Sequence, residues 1–190
     1  MRGVVSISEA AELLRSADRV SVAGVSGAGK STLSIRIAEA RGLPYVSLDR
    51  DMRWLPGWRV RDRAEQRRLH DGFVAGPRWI IDGTSVGLMD TRLKRSDLLI
   101  WLRPSRWVAL SGIAKRVATT YGRVRSDMAD GCPEQLPDRE FLNWIWTFDK
   151  KHAPRLITAI ETHAADLPVC ILRTRRDAAE LLRLLEGESG

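Results

Sequence analysis

Nine consecutive residues, Gly24-Val25-Ser26-Gly27-Ala28-Gly29-Lys30-Ser31-Thr32, constrain this chain more than any other stretch. They satisfy G-x-x-x-x-G-K-[ST], the phosphate-binding loop or P-loop, at every fixed position. Upstream, Arg19-Val20-Ser21-Val22-Ala23 alternates as a short buried strand, and downstream Leu33, Ile37 and Ala40 fall at helical spacing. A glycine-rich turn between strand and helix aims successive backbone N–H groups inward, and the helix N-terminus adds partial positive charge. Together they cradle a polyphosphate. Lys30 is placed to reach the β- and γ-phosphates, and the Ser31 hydroxyl to ligate Mg²⁺. Gly24, Ser26, Gly27, Ala28, Gly29, Lys30, Ser31 and Thr32 are therefore read as the nucleotide-binding set, with ATP as donor and Mg²⁺ as the metal.

The rest of the chain reads as alternating strands and helices. Ser6-Ile7-Ser8-Glu9 forms a capping box ahead of a short leading helix. Strands are expected at Arg19–Ala23, Leu43–Leu48, Arg78–Asp82, Leu98–Leu102 and Leu167–Leu172. Residues 50–58 hold too much Pro, Gly and Trp for a regular element, and a polar helix with Leu69 and Phe73 on one side follows over 62–75. Trp107, Leu110, Ala114 and Val117 predict a helix with one apolar stripe, and Trp79, Trp101, Trp107 and Trp144 are expected in the core. Residues 119–137 lose that period and are read as a mobile loop. Helices through Phe141–Phe148, 153–165 and Ala178–Leu185 complete the chain. This order implies one α/β domain over residues 1–190, with a five-stranded parallel sheet covered by helices on both faces.

Ligands of such sheets bind beyond the carboxyl ends of the strands. Asp49 after the second strand and Asp82 after the third thus stand beside the P-loop. Either carboxylate could hold Mg²⁺ or orient an acceptor hydroxyl, and Asp82, closing the apolar run Trp79-Ile80-Ile81, is the better metal candidate alongside Ser31. The loop over 119–137 is flanked and punctuated by Lys115, Arg116, Arg123 and Arg125. Arginines on a closing loop stabilise the charge of a phosphoryl group in transfer while excluding water. The alternative is a solvated loop whose arginines pair with Asp127, Asp130 and Glu134. Arg92 is read either as a clamp for an acceptor phosphate or as a surface residue, and Arg173 as a border of the nucleotide base. Asp49, Arg53, Asp82, Gly83 and Arg92 make up the acceptor set, within a region spanning about 49–76.

The formal charge of +7 suits a nucleic-acid binder, but equally a small enzyme gripping two phosphorylated ligands. No apolar run approaches bilayer length, and Met1–Glu9 lacks the apolar core of a signal peptide. Cys132 and Cys170 lie far apart without a Cys/His partner pattern, so neither a zinc site nor a disulfide framework is expected. A cytoplasmic, membrane-free protein is the expectation.

Beyond the P-loop, the segments Trp54-Leu55-Pro56-Gly57-Trp58, Trp79-Ile80-Ile81-Asp82-Gly83, Asp127 to Glu134 and Phe141 to Trp146 resemble the adenylate-kinase-like P-loop proteins labelled FlaR-type DNA topology modulation proteins. The resemblance runs from the first strand to about Arg175. It implies a nucleoside-monophosphate-kinase-like fold with a core, an acceptor-binding region and a short lid, whose arginines map onto Arg116, Arg123 and Arg125. Asp82-Gly83 resembles the Asp-Gly pair closing the third strand of adenylate kinases, but Thr84-Ser85 stands where Phe-Pro-Arg usually follows, which argues against AMP as acceptor. Arg103 stands where relatives often carry an acid.

The leading reading is an ATP-dependent phosphotransferase acting on a nucleotide or nucleoside, with Lys30, Arg116, Arg123, Arg125 and Asp49 as catalytic residues. A DNA-associated ATP-binding protein and a slow NTPase switch are the alternatives. The first of these has no helix-turn-helix, zinc-finger or single-strand-binding signature behind it.

Overall fold

A computed structural model of the chain describes residues 3–187. In chain order the elements are β1 (Val4–Val5), α1 (Ile7–Ser16), β2 (Arg19–Gly24), α2 (Lys30–Arg41), β3 (Tyr45–Ser47), a π-helical turn (Leu48–Arg53) and the hairpin β4 (Trp54–Leu55) and β5 (Arg59–Val60). Then come α3 (Arg63–Ala75), β6 (Trp79–Asp82), a 3₁₀ turn (Val86–Leu88), α4 (Met89–Arg95), β7 (Leu98–Leu102), α5 (Arg106–Thr120), α6 (Arg139–Lys151), α7 (Ala153–His163), β8 (Val169–Leu172) and α8 (Arg175–Glu186). Helix starts follow local chemistry. Ser6 and Thr174 close capping boxes with Glu9 and Asp177, while Asp62 and Asp138 each cap a helix through one carboxylate.

The main sheet is parallel throughout, in the order β1-β8-β7-β2-β6-β3. It has six strands where five were expected. The added strand is Val4–Val5, which pairs with Val169 and Cys170 and is too short to leave a periodic signal. The chain leaves β2 for β3, two places to one side, and later returns to β7 on the other side. The order therefore reverses at β2, and the crevice above its carboxyl end is where an open α/β sheet receives ligands.

Strict alternation along β2 and β7 splits the core into two layers. Val20, Val22, Leu98, Ile100 and Leu102 face α1, α2 and α8, where Leu14, Ile37 and Leu181 cover them. Ala23, Leu99 and Trp101 face α4 and α7, under Met89, Leu93, Leu156 and Ile160. Each such fully buried aliphatic contributes roughly 1.5–3 kcal/mol, so the sheet that carries the P-loop is the most firmly held part of the molecule.

Several expectations need correction. Residues 50–58 do contain regular structure, the π-helical turn and the β4–β5 hairpin. The buried face of α5 is Ala109 and Ile113, flanked by Leu110 and Val117, so the stripe is rotated and Trp107 lies 67% exposed. The reason is tertiary: α5 packs on the P-loop residue Val25 and on α6, not on the sheet. In α3 the inward residues are His70 and Val74, with Leu69 partly buried and Phe73 exposed. Trp79 and Trp101 are fully buried, as read, and Trp144 packs partly buried against the Val25 cluster. Both cysteines are buried free thiols, and no helix among the described residues is long and apolar enough to cross a membrane.

Candidate active site

The loop after β2 is shaped by its glycines. Gly24, Gly27 and Gly29 have φ of +144°, +81° and +93°, a region that side-chain-bearing residues rarely adopt. Gly29 is the residue before α2 and offers no side-chain cap, and the first turn of α2 holds no acid. Its leading amides are thus left for an anion. Thr84, from the loop after β6, secures the start of the P-loop. Its hydroxyl accepts from Gly24 N (2.7 Å) and donates to Gly24 O (2.8 Å).

Lys30 opens α2 and folds back so that its Nζ donates to Val25 O at 3.1 Å. Burial pushes its ammonium below the ordinary lysine value, while the carboxylates of Asp82 and Asp49 pull it back up; Arg116 adds to the lowering and Asp127 opposes it. Asp82, ending β6, is 4% exposed. Burial pushes its carboxyl above the usual range, against Lys30 and hydrogen bonds from Ser31 and Tyr45, with Asp49 reinforcing the rise. Tyr45 donates its Oη to Asp82 Oδ2 at 3.0 Å, and burial beside that carboxylate raises the phenol, so it stays a neutral donor. Lys30, set among three carboxylates with Arg116 and a serine hydroxyl at hand, is the electrostatic centre of the site.

These groups fit Mg²⁺. The ion takes hard oxygen ligands, usually one or two carboxylates completed by phosphate and water. Ser31 and Asp82 supply such oxygens at the cradle, and a carboxyl lifted by burial is one whose ionised form a divalent cation would favour. No group of three or more His, Cys, Asp or Glu side chains among the described residues forms a protein-only metal cage.

On the acceptor side, Asp49 lies half-buried in the π-helical turn within electrostatic reach of Lys30 and Asp82. The same turn is braced by Asp51, which accepts from Ser47 N (2.8 Å) and pairs with Arg50. Arg53 is exposed and lays its guanidinium over Trp54, 5.0 Å from the ring centroid. Gly83 has φ +122° and packs against Leu48, which a Cβ there would meet at 2.6 Å. Arg92 is not a surface residue. It is fully buried in α4, donates Nη2 to Gly83 O at 2.9 Å, and is held by burial to about 10, below the ordinary guanidinium value, with Asp82 opposing the drop. It underpins the acceptor side through the Gly83 backbone, with no charge presented to solvent.

The predicted lid is clasped to the acceptor region. Gly57 N donates to Gly131 O (3.0 Å), Trp58 N to Cys132 Sγ (3.4 Å) and Trp58 Nε1 to Pro133 O (3.1 Å). Met128, Ala129 and Cys132 bury themselves against Trp54 and Trp58. Ser47 Oγ donates to Asp127 O and Arg50 Nη1 to Ser126 O, both at 3.1 Å. Within the loop, Glu134 is 5% exposed and accepts from Arg116 at 2.8 Å and from Arg125 at 2.9 Å, while Arg125 also pairs with Asp127. The arginines thus pair as the solvated-loop alternative had it with Asp127 and Glu134, yet on a partly buried network. Arg123 is exposed, and its carbonyl accepts from Glu134 N.

The structure therefore brings Lys30, Ser31, Asp49, Asp82 and Arg116 within electrostatic reach of one another, with Arg125 joined to them through Asp127 and Glu134. Arg173 stands apart on the wall of a neighbouring cavity beside the first turn of α5. Sequence reasoning gave Tyr45 and Thr84 no role at the site, and it named Asp127 and Glu134 only as arginine partners in a solvated loop.

No protein-family model matches the chain, and no curated protein does. Solved structures show the fold. A shikimate kinase from Acinetobacter baumannii in complex with shikimate aligns with TM-score 0.57 at 13% identity, over 91% of this chain and 93% of that one. A gluconokinase from Sinorhizobium meliloti 1021 (TM-score 0.46, 19% identity, 89% and 94% covered) and a deoxyadenosine kinase from M. mycoides with bound dATP (0.46, 16%, 88% and 96%) align more loosely. The chain has the fold of the P-loop kinases.

Proposed function

We propose that this protein transfers the γ-phosphoryl group of ATP to a small acceptor of the nucleotide or nucleoside class. The observation that carries the reading is the placing of Lys30 among Asp82, Asp49 and Asp127 at the mouth of the P-loop, with Arg116 joining them from the lid side. The P-loop amides and Lys30 hold the triphosphate. Asp49 orients the acceptor hydroxyl, while Arg116, Arg123 and Arg125 gather round the transferred group. Asp82 and Ser31 would hold Mg²⁺, which would supply positive charge to offset that of the phosphates. The residues act by positioning and charge stabilisation, with no covalent intermediate required.

A coupled ADP-release assay tests this. Mg-ATP is offered with a panel of nucleoside monophosphates, nucleosides and hydroxylated small acids, the last because the shikimate kinase shares this fold. Stimulation by one acceptor, abolished by Lys30→Ala, is the expected result. Slow release indifferent to every acceptor would overturn it in favour of an NTPase switch. Among the described residues no feature favours the DNA-associated reading.

A further inference from the structure

A cavity of about 640 Å³ opens where the first turn of α5 meets α6 and the ends of β7 and β8. Lys30, Ser31, Asp49 and Asp82 are not among its walls, so it is separate from the phosphate cradle. Its floor is apolar: Val25, Leu102, Ile145 and Phe148, all buried. Its rim is cationic, with Arg103, Arg106, Lys150 and Arg173 set against the single acid Asp149.

That acid is already engaged. Asp149 accepts from Arg103, whose hydrogen bond holds its carboxyl below the ordinary range, with Arg173 and Arg106 adding to the effect. Arg106, Lys150 and Arg173 are left without a paired carboxylate among the described residues. Ser105 caps α5 and the first turn of that helix contains no acid, so its dipole adds to the positive field. Two tryptophans stand at the mouth. Trp146 lines the cavity with the Arg106 guanidinium 4.5 Å from its ring centroid, and Trp107 meets it edge-on at 5.0 Å. They are 41% and 67% exposed, although the core takes up other tryptophans of the chain completely. An apolar floor, a cationic rim and an aromatic lip, at a volume typical of small-molecule sites, together describe one ligand chemistry.

We propose that this cavity is a second ligand site, taking a phosphorylated small molecule of nucleotide size. The anionic groups lie against Arg106, Lys150 and Arg173, and the less polar body lies over Val25 and Phe148. Val25 is also the second residue of the P-loop, so the occupant touches the loop that holds the donor.

Isothermal titration of the full chain with ADP at about 0.1 M salt tests this, using the wild type, Lys30→Ala and the double variant Arg106→Glu/Lys150→Glu. The expected result is two classes of site in the wild type. The double variant loses one of them by at least tenfold and keeps the other, which also reports its folding. Lys30→Ala shows the reverse pattern. Adenosine, lacking phosphate, is expected not to compete at the second site. Should the double charge reversal abolish all binding, the milder Arg106→Gln/Lys150→Gln pair decides by the same criterion. A single site in the wild type, indifferent to either pair, would overturn the proposal, as would adenosine competing as well as ADP. Failure of Lys30→Ala to remove any site counts against the donor role of the P-loop and not against this cavity.

Discussion

Gly27 of the P-loop and Gly112 of α5 touch backbone to backbone. A Cβ on Gly112 would lie 2.0 Å from the Gly27 carbonyl oxygen, and one on Gly27 would lie 2.1 Å from the carbonyl of Ala109. No rotamer relieves such a contact, because both partners are main chain. The helix that ends at the lid is thereby seated directly on the loop that cradles phosphate, and the two cannot separate or approach without the other adjusting.

Gly112→Ala is therefore expected to force α5 off the P-loop. Overpacking of this kind costs about 1–3 kcal/mol, and the displacement falls on the amides that bind nucleotide. Nucleotide affinity should drop about tenfold or more, with a lowered thermal midpoint. Gly72→Ala is the control: Gly72 lies in α3 with nothing within 4 Å of its added Cβ, and alanine there should stabilise by roughly 0.5–1 kcal/mol. A pair of thermal melts and nucleotide titrations checks both. Equal behaviour of the two variants would sink the argument.

Much of this architecture was legible in the sequence because its signals are local. The P-loop spacing, the Ser6–Glu9 capping box and the apolar runs of β6 and β7 each lie within a few residues. What was not legible depends on partners distant in the chain. The Gly112 contact belongs to a helix whose stripe was read as Trp107, Leu110, Ala114 and Val117, and its packing on Val25 turns Ala109 and Ile113 inward. Thr84 shows its role only once β6 lies beside β2, which brings its hydroxyl to Gly24. The sequence leaves Arg92 open between a phosphate clamp and a surface cation, because its charge argues for solvent. Its place three residues after Met89 and beside Leu93 instead puts it on the face that α4 buries against Gly83. The edge strand Val4–Val5 has two residues, and periodicity needs more.

Lys30→Met should separate function from stability. The ammonium is held below its ordinary value by burial, so the charged form is disfavoured where it sits. Loss of the phosphate contact should lower turnover by about 10²–10³-fold, the size expected for one preorganised charge at a transition state. The ligand-free thermal midpoint should hold or rise. A variant that lost activity only in proportion to lost folded protein would contradict this.

Asp82→Asn carries a pH signature. The folded-state pKa of Asp82 is raised by burial, so its favourable contribution to stability is present below the unfolded value and is lost as pH rises through the folded one. At neutral pH the buried carboxyl is thus a cost, and asparagine, which still accepts from Tyr45, should raise the thermal midpoint by about 2–4 °C. That advantage should fade on acidification. Turnover should fall about a hundredfold. The acid limb of the wild-type kcat/KM profile, which reports the free enzyme, should lie above the ordinary carboxylate range and vanish in the variant. An acid limb unchanged by the substitution would assign the titration to another group.

Glu134 is an internal counter-ion for the lid, and removing its charge should show what the arginines are held for. In Glu134→Gln, Arg116 and Arg125 lose the carboxylate they share at 2.8 and 2.9 Å, and two guanidinium groups are left facing each other. Breaking a buried pair from one side is costly. The backbone bonds it supports, Gly122 N to Glu134 O and Glu134 N to Arg123 O, should open more often. Hydrogen exchange at these two amides is expected to quicken about tenfold or more, near 1.4 kcal/mol, while the sheet amides of β2 and β7 stay unchanged. Added Mg-ATP should restore much of the protection, since a triphosphate at the P-loop offers the same arginines an anion in place of the lost carboxylate. If nucleotide leaves exchange in the variant unaltered, Arg116 and Arg125 are structural tethers of the loop and have no part in phosphoryl transfer.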